Sequence, residues 1–267
     1  MSTIRVVVHG ASGKMGREIV SALCHEPETQ VVGAVDIKVS GASLPLPDGS
    51  GTVPFSPNLG ETLASCRPDV LVDFSVASAT MPAVRIAAER GVNLVIGTTG
   101  LSAADFAEME RLSTAHKIGI VAAPNFALGA VLMMHLARIA ARYLDYAEII
   151  ELHHQMKADA PSGTALSTAR AMAQARGKPF SHPPEREPAQ ASRGGQYDGI
   201  TIHSVRLPGL MAHQEVILGA PGQTLSIRHD TISRECFMPG IMLAIKEVIK
   251  RPGLTRSLDA LLGLAED

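Results

Sequence analysis

The chain has 267 residues, 24 basic against 26 acidic for a formal net charge of −2, with 46% hydrophobic and 19% charged content. That composition fits one large or two modest folded domains, and near-neutral charge argues against a nucleic-acid partner. The apolar run from Phe126 to Met134 stops at His135, short of the ~20 residues of a membrane span, and Cys24, Cys66 and Cys236 lack zinc spacing, so free thiols in the cytoplasm are the expectation.

In chain order, Ile4 to Val8 reads as a buried strand, Gly10 to Gly16 as a glycine-rich turn, and Lys14 to Cys24 as a helix. Val31 to Asp36, Val70 to Phe74, Leu94 to Ile96 and Ile118 to Ala122 are further apolar strands, with helices over Ala79 to Arg90 and from Ser102 to about His116. Strands alternating with helices imply a parallel sheet covered on both faces.

The pattern then changes. Leu128 to Tyr143 reads as a long helix, Ala147 to His153 as a strand and Thr164 to Arg176 as a helix. The stretch 177–199, rich in Pro, Gly and charge, is a candidate hinge or lid, or equally a surface loop or subunit contact. Ile200 to Arg206, Gln214 to Gly219 and Thr224 to His229 follow as strands joined by short Pro-Gly turns, implying an antiparallel, open-faced sheet. Gly240 to Lys250 is a last helix that could return to the first domain. The expectation is an α/β protein with a Rossmann-type parallel-sheet domain (1–127 and 240–267) and a mixed α/β domain for substrate binding and oligomerisation (128–239).

Gly10-Ala11-Ser12-Gly13-Lys14-Met15-Gly16 lies between a strand and a helix, where glycines let the main chain approach a pyrophosphate and the helix start faces it. Asp36, twenty residues on, ends the next strand, where an acid meets ribose hydroxyls. Asp36 favours NADH, while Lys14 and Lys38 could accept the 2′-phosphate of NADPH or simply face solvent. Gly97-Thr98-Thr99-Gly100 and Ala123-Pro124-Asn125-Phe126 each follow a strand. Alone, either reads equally as a turn; their shared position makes them candidate cofactor loops.

The run from Glu151 to Thr164 is the most telling. It sets His153 and His154 beside Lys157 and a helix start at Ser162-Gly163-Thr164. Imidazole moves protons near neutral pH, an ammonium holds an anion, and a capped helix start offers N–H groups to a carboxylate. On a regular strand the two histidines point to opposite faces, so both reach one pocket only if the strand ends there. Asp159 braces the loop or orients Lys157. His203, His213 and Glu215, with Arg206 close by, read mainly as solvated sheet positions, with a basic residue toward a second substrate carboxylate as the other reading. Met133, Met134 and Met238 read as packing, and no credible metal-ligand set appears.

Together Gly10 to Arg17, Asp73-Phe74-Ser75, Gly97 to Gly100, Pro124-Asn125-Phe126 and the Glu151 to Thr164 run resemble the 4-hydroxy-tetrahydrodipicolinate reductase (dihydrodipicolinate reductase) family nearly end to end. The resemblance implies NADH- or NADPH-dependent reduction of a cyclic imine dicarboxylate to tetrahydrodipicolinate in diaminopimelate and lysine synthesis, by a homotetramer. It implies His153 and Lys157 as catalytic residues, with His154, Gly163 and Thr164 on substrate; Ser162 joins them from the reading of the helix start. It implies Gly10, Ala11, Ser12, Gly13, Lys14, Met15, Asp36, Gly97, Thr98, Thr99, Ala123, Pro124, Asn125 and Phe126 on cofactor. Where some NADPH-using relatives have Arg after the ribose acid, this chain has Ile37, leaving Lys38 as the substitute. Two other readings remain: another dehydrogenase on the same two-domain plan, and a non-catalytic dinucleotide sensor.

Overall fold

The structure, a computed structural model, describes residues 3–39, 41–183, 189 and 192–264. Its residues form two compact units, 1–127 with 237–267, and 128–236. Cys24, Cys66 and Cys236 are free thiols.

The first unit begins with β1 (Ile4–His9), α1 (Lys14–His25), β2 (Thr29–Val35), β3 (Ser43–Pro45), β4 (Thr52–Ser56) and α2 (Leu59–Cys66). It continues through β5 (Val70–Asp73), α3 (Ala77–Glu89), β6 (Asn93–Ile96), α4 (Ala103–His116) and β7 (Gly119–Ala122). All residues of β5 and β7 are buried, as expected of strands covered on both faces. After the second unit the chain adds α7 (Met238–Val248) and β13 (Gly253–Thr255) to the same unit. The sheet runs β13-β7-β6-β5-β1-β2-β4-β3, parallel throughout except the β3–β4 pair. Strand order turns back beside β1, so the loops after β1 and β5 open a crevice at the carboxyl ends.

Two close approaches seat α7. A Cβ on Gly240 would lie 2.1 Å from the Phe126 carbonyl oxygen, and one on Gly119 would lie 2.0 Å from that of Val248.

The second unit contains α5 (Leu128–Ala140), β8 (Tyr146–His153), α6 (Gly163–Arg176), β9 (Gly195–Tyr197), β10 (Ile200–Arg206), β11 (Ala212–Ala220) and β12 (Gln223–Thr231). A short 3-10 turn, Arg234–Phe237, leads out of it. Sheet order is β12-β11-β8-β10-β9. Alternate residues of β8 (Ala147, Ile149, Glu151) are buried on the helix-covered face, and Glu148, Ile150 and Leu152 are half-exposed on the other. Among the described residues no helix is long and apolar enough to cross a membrane.

Three expectations need correction. The three late strands are not a simple antiparallel set: β11 pairs antiparallel with β12, but β8 inserts between β11 and β10, and β8–β10 is parallel. The helix from Leu128 ends at Ala140, not Tyr143. The stretch 177–199 is not all loop, because β9 pairs antiparallel with β10; positions 184–188, 190 and 191 lie outside the described residues.

Candidate functional site

In the first unit a cavity of about 280 Å³ opens at the turn-back of the sheet. Its wall comes from the loop after β1 (His9, Gly10, Ser12, Gly13), the end of β2 (Asp36, Ile37, Lys38) and the segment after β5 (Phe74 to Val76, with Ala79). Gly10 has φ +82°, and a Cβ there would stand 2.7 Å from the Phe74 carbonyl oxygen. A Cβ on Gly16 would stand 2.1 Å from the Gly10 carbonyl oxygen. Both positions therefore need glycine, and the main chain of the turn is left bare for a ligand's approach.

Asp36 joins two of these segments. Its Oδ2 accepts the Ser12 N–H at 2.9 Å and its Oδ1 the Lys38 N–H at 3.0 Å, while the Ser12 hydroxyl donates to the Lys38 carbonyl oxygen at 3.0 Å. Lys38 lines the cavity; Lys14 is exposed on the first turn of α1; Ala11 is buried and Met15 half-buried.

Behind the cavity Asp73, fully buried at the end of β5, binds the loops together. It accepts the Ser75 and Thr80 hydroxyls, each at 2.6 Å, and the Thr98 hydroxyl at 3.2 Å, and its Oδ1 lies 2.9 Å from His9 Nδ1. Burial pushes this carboxyl up, but His9 and the Ser75 and Thr80 hydroxyls outweigh it and hold it below the usual aspartate value. Gly97 is bare for packing: a Cβ would enter the Phe74 ring at 2.2 Å, and Phe74 leans on buried Phe126, ring centres 5.6 Å apart. Thr98, Thr99, Ala123 and Pro124 meet around a second cavity of about 150 Å³. Asn125 turns its Oδ1 onto the Ala127 N–H at 2.9 Å, shaping the loop.

In the second unit the site gathers at the end of β8. Glu151 and His153, two apart on one strand, share the buried face. Glu151 Oε2 accepts His153 Nδ1 at 2.5 Å and Arg206 Nη1 at 2.8 Å; Oε1 accepts Arg206 Nη2 at 2.8 Å and the Ser162 N–H at 3.2 Å. Burial pushes the Glu151 carboxyl up, yet hydrogen bonds from His153, Arg206 and Ser204 pull it from 4.5 down to about 2. It is a fixed anion at neutral pH.

The strand ends at His153, so His154 falls outside it and is exposed, followed by a turn closed by the Lys157 N–H on the His154 carbonyl oxygen at 3.1 Å. Lys157 Nζ donates to both Asp159 oxygens at 2.8 Å, and this ammonium holds the Asp159 carboxyl below its usual value. Ser162 caps α6, its Oγ accepting the Ala165 N–H at 3.1 Å. Gly163 and Thr164 form the exposed and half-exposed first turn, where N–H groups are free of intrahelical partners.

Arg206, weighed in the sequence as a solvated residue or a contact for a second substrate carboxylate, is neither. Its guanidinium is spent on Glu151 and on the carbonyl oxygens of Lys157, Asp159 and Val205. His203 lies 2.9 Å from Glu148, His213 2.7 Å from Asp230, and Glu215 3.4 Å from Arg228, so each of these sheet residues has a polar side-chain neighbour rather than solvent alone. Sequence reasoning named Glu151 and Asp73 only within their motifs and gave neither a role; an acid two residues before His153 on the same strand face was the available signal for the first. Among the described residues no cluster of three or more His, Cys, Asp or Glu side chains is arranged to hold a metal ion.

Comparison with known proteins agrees with this arrangement. Family models described as "Dihydrodipicolinate reductase, N-terminus" and "Dihydrodipicolinate reductase, C-terminus" match residues 4–126 and 129–262. The chain is 58% identical to 4-hydroxy-tetrahydrodipicolinate reductase of Dehalococcoides mccartyi, covering 99% of this chain and 100% of that one. It is 50% identical to the Moorella thermoacetica protein of the same name, over 98% and 99% of the two. A dipicolinate-bound dihydrodipicolinate reductase from Paenisporosarcina sp. TG-14 superposes with a TM-score of 0.86 at 39% identity, over 97% and 99% of the chains. An amine dehydrogenase from Mycobacterium smegmatis, at 20% identity and a TM-score of 0.67, shares the fold alone. With both family models matched and relatives this similar over their whole length, the chain belongs to the dihydrodipicolinate reductase family.

Proposed function

We propose that this chain is the 4-hydroxy-tetrahydrodipicolinate reductase of its cell, using NADH or NADPH to reduce a cyclic imine dicarboxylate to tetrahydrodipicolinate in diaminopimelate and lysine synthesis. The observation that carries the reading is the end of β8: a histidine held by a buried carboxylate, next to a serine-capped helix start, in a chain whose relatives bear that name.

The residues present fit a dinucleotide. Gly10 and Gly16 keep a cradle that a Cβ would fill, Asp36 presents a fixed carboxylate, and Thr98, Thr99, Ala123 and Pro124 line the neighbouring cavity. A bound nicotinamide cofactor supplies hydride. The first unit (1–127 and 237–267) holds the nucleotide through Gly10 to Met15, Asp36, Lys38, Gly97 to Thr99 and Ala123 to Phe126. The second (128–236) binds substrate and forms the oligomer contacts.

His153 and Lys157 are the catalytic pair. With Nδ1 occupied by Glu151, His153 has Nε2 to donate a proton to the reduced ring. Lys157 holds a substrate carboxylate or gives the proton, in exchange with Asp159. Ser162, Gly163 and Thr164 take a carboxylate on the helix start, with His154 beside them. The working form is a cytoplasmic homotetramer with no nucleic-acid or membrane partner.

A coupled assay tests this. Pyruvate and aspartate semialdehyde are condensed by the preceding synthase, and oxidation of NADH and NADPH is followed separately. Oxidation that requires both synthase and this protein supports the reductase. Nucleotide binding by folded protein without such oxidation would favour a different dehydrogenase or a dinucleotide sensor.

A further inference from the structure

We propose that Glu151 and Arg206 are positioning residues for this reaction: one buried ion pair sets the ring of His153 and the main chain that carries Lys157. The proposal rests on the functional reading above, in which those two residues are catalytic.

Glu151 is fully buried; each of its oxygens takes two donors among His153, Arg206 and the Ser162 N–H, and the Ser204 side chain adds to the hold on the carboxylate. The donors come from three places: His153 on β8, Arg206 on β10 and the Ser162 N–H at the start of α6. A buried ion pair contributes little to stability compared with apolar residues of the same shape. Here the pair instead links the proton-bearing histidine to the carboxylate cradle.

An ionised carboxylate only accepts, so His153 Nδ1 must donate to it. That fixes the tautomer and leaves Nε2 as the nitrogen that exchanges a proton. The low value of the Glu151 carboxyl keeps the acceptor ionised across the working pH range.

Arg206 does the same for the loop. Its Nε donates to the Lys157 carbonyl oxygen at 3.2 Å and its Nη2 to that of Asp159 at 2.6 Å. A lysine at 206 keeps the charge and loses the planar fork that reaches carboxylate and loop together. The charged groups joined to His153 through this network are Glu151 on its own strand, Arg206 from β10, and Lys157 and Asp159 from the following loop.

The test has two arms. In wild type, nitrogen-15 NMR of the histidines reads the His153 tautomer. Neutral His153 should be the Nδ1–H form, and an Nε2–H form overturns the proposal. In Glu151→Gln, verified as folded by circular dichroism, kcat should fall at least about tenfold. Neutral His153 should no longer be held in the Nδ1–H form, because an amide side chain at 151 can donate as well as accept. The dissociation constant for NADH should stay within about twofold, since the nucleotide loops are untouched.

Glu151→Asp should restore the Nδ1–H tautomer and recover only part of kcat. It stands in with the wild-type tautomer if Glu151→Gln does not fold. Unchanged kcat together with an unchanged His153 tautomer in Glu151→Gln overturns the proposal. If wild type reduces no imine dicarboxylate, the functional reading fails by itself, while the tautomer still decides whether Glu151 sets His153.

Discussion

The main-chain N–H of Ser12 donates to Asp36 Oδ2 at 2.9 Å, so one carboxylate oxygen ties the glycine-rich turn to the end of β2. The other oxygen is held by the Lys38 N–H at 3.0 Å, which fixes the acid's orientation and leaves lone pairs on both oxygens for a diol. Asp36→Asn should therefore weaken NADH binding by about tenfold, the scale of one charge-assisted hydrogen bond, and NADPH binding less. Lys38→Ala should weaken NADPH selectively. Fluorescence titration of both nucleotides against both variants checks this; equal losses for the two cofactors would remove Asp36 and Lys38 as the ribose-reading pair.

Replacing His153 or Lys157 should separate turnover from folding. His153→Ala leaves Glu151 with Arg206 and the Ser162 N–H, and Lys157→Ala leaves the loop held at its carbonyl oxygen. Turnover should drop roughly 10²- to 10⁴-fold, the usual scale of a lost general acid, with thermal unfolding close to wild type. Full activity in both variants would show that the proton comes from elsewhere.

Acid should unfold the protein through its buried carboxylates. A carboxyl whose folded value is depressed contributes stability above its unfolded value, and that contribution is lost as pH falls through the folded one. For Glu151, lowered from 4.5 to about 2, the window is pH 4.5 down to 2, and the contribution at pH 7 is on the order of 3 kcal/mol. Asp73 shifts the same way, so Asp73→Asn should cost roughly 2–4 kcal/mol at pH 7. Urea denaturation at pH 7 and pH 3.5 reads both; the gap between wild type and Asp73→Asn should narrow at the lower pH.

Glycines in the nucleotide turn should differ sharply in tolerance. Gly16→Ala places a Cβ 2.1 Å from the Gly10 carbonyl oxygen and 2.7 Å from Ala11 Cα, both main chain that cannot move aside. Gly13→Ala meets only the Gly10 carbonyl oxygen, at 3.1 Å. The first should lower the melting temperature by several degrees and nucleotide affinity by more than about tenfold, and the second should do much less. Calorimetry with and without NADH compares them.

Local pattern made the nucleotide half readable. Apolar runs such as Val70 to Asp73 declare strands buried on both sides, and Ser102 with Asp105 forms the full capping box at the start of α4. What escaped was either short or settled by distant pairing. In β4, Val53 and Phe55 alternate inward, but Pro54 between them masks the strand. Gly60 similarly obscures α2. Nothing local in Ile200 to Arg206 reveals that its partner is β8, some fifty residues earlier, and in parallel. Arg206 looked solvated for the same reason: its carboxylate lies on the strand it pairs with, a neighbour that only the fold provides.

The placement of β13 beside β7 has a consequence for biosynthesis. A chain leaving the ribosome delivers the first unit's central strands early, but the outer neighbour of β7 arrives only with Gly253–Thr255. The inserted unit has all its strands once Thr231 has emerged. The half that starts later is thus the first able to close its sheet, and the nucleotide-binding half must wait, with the β7 edge unpaired, until Thr255 has been made.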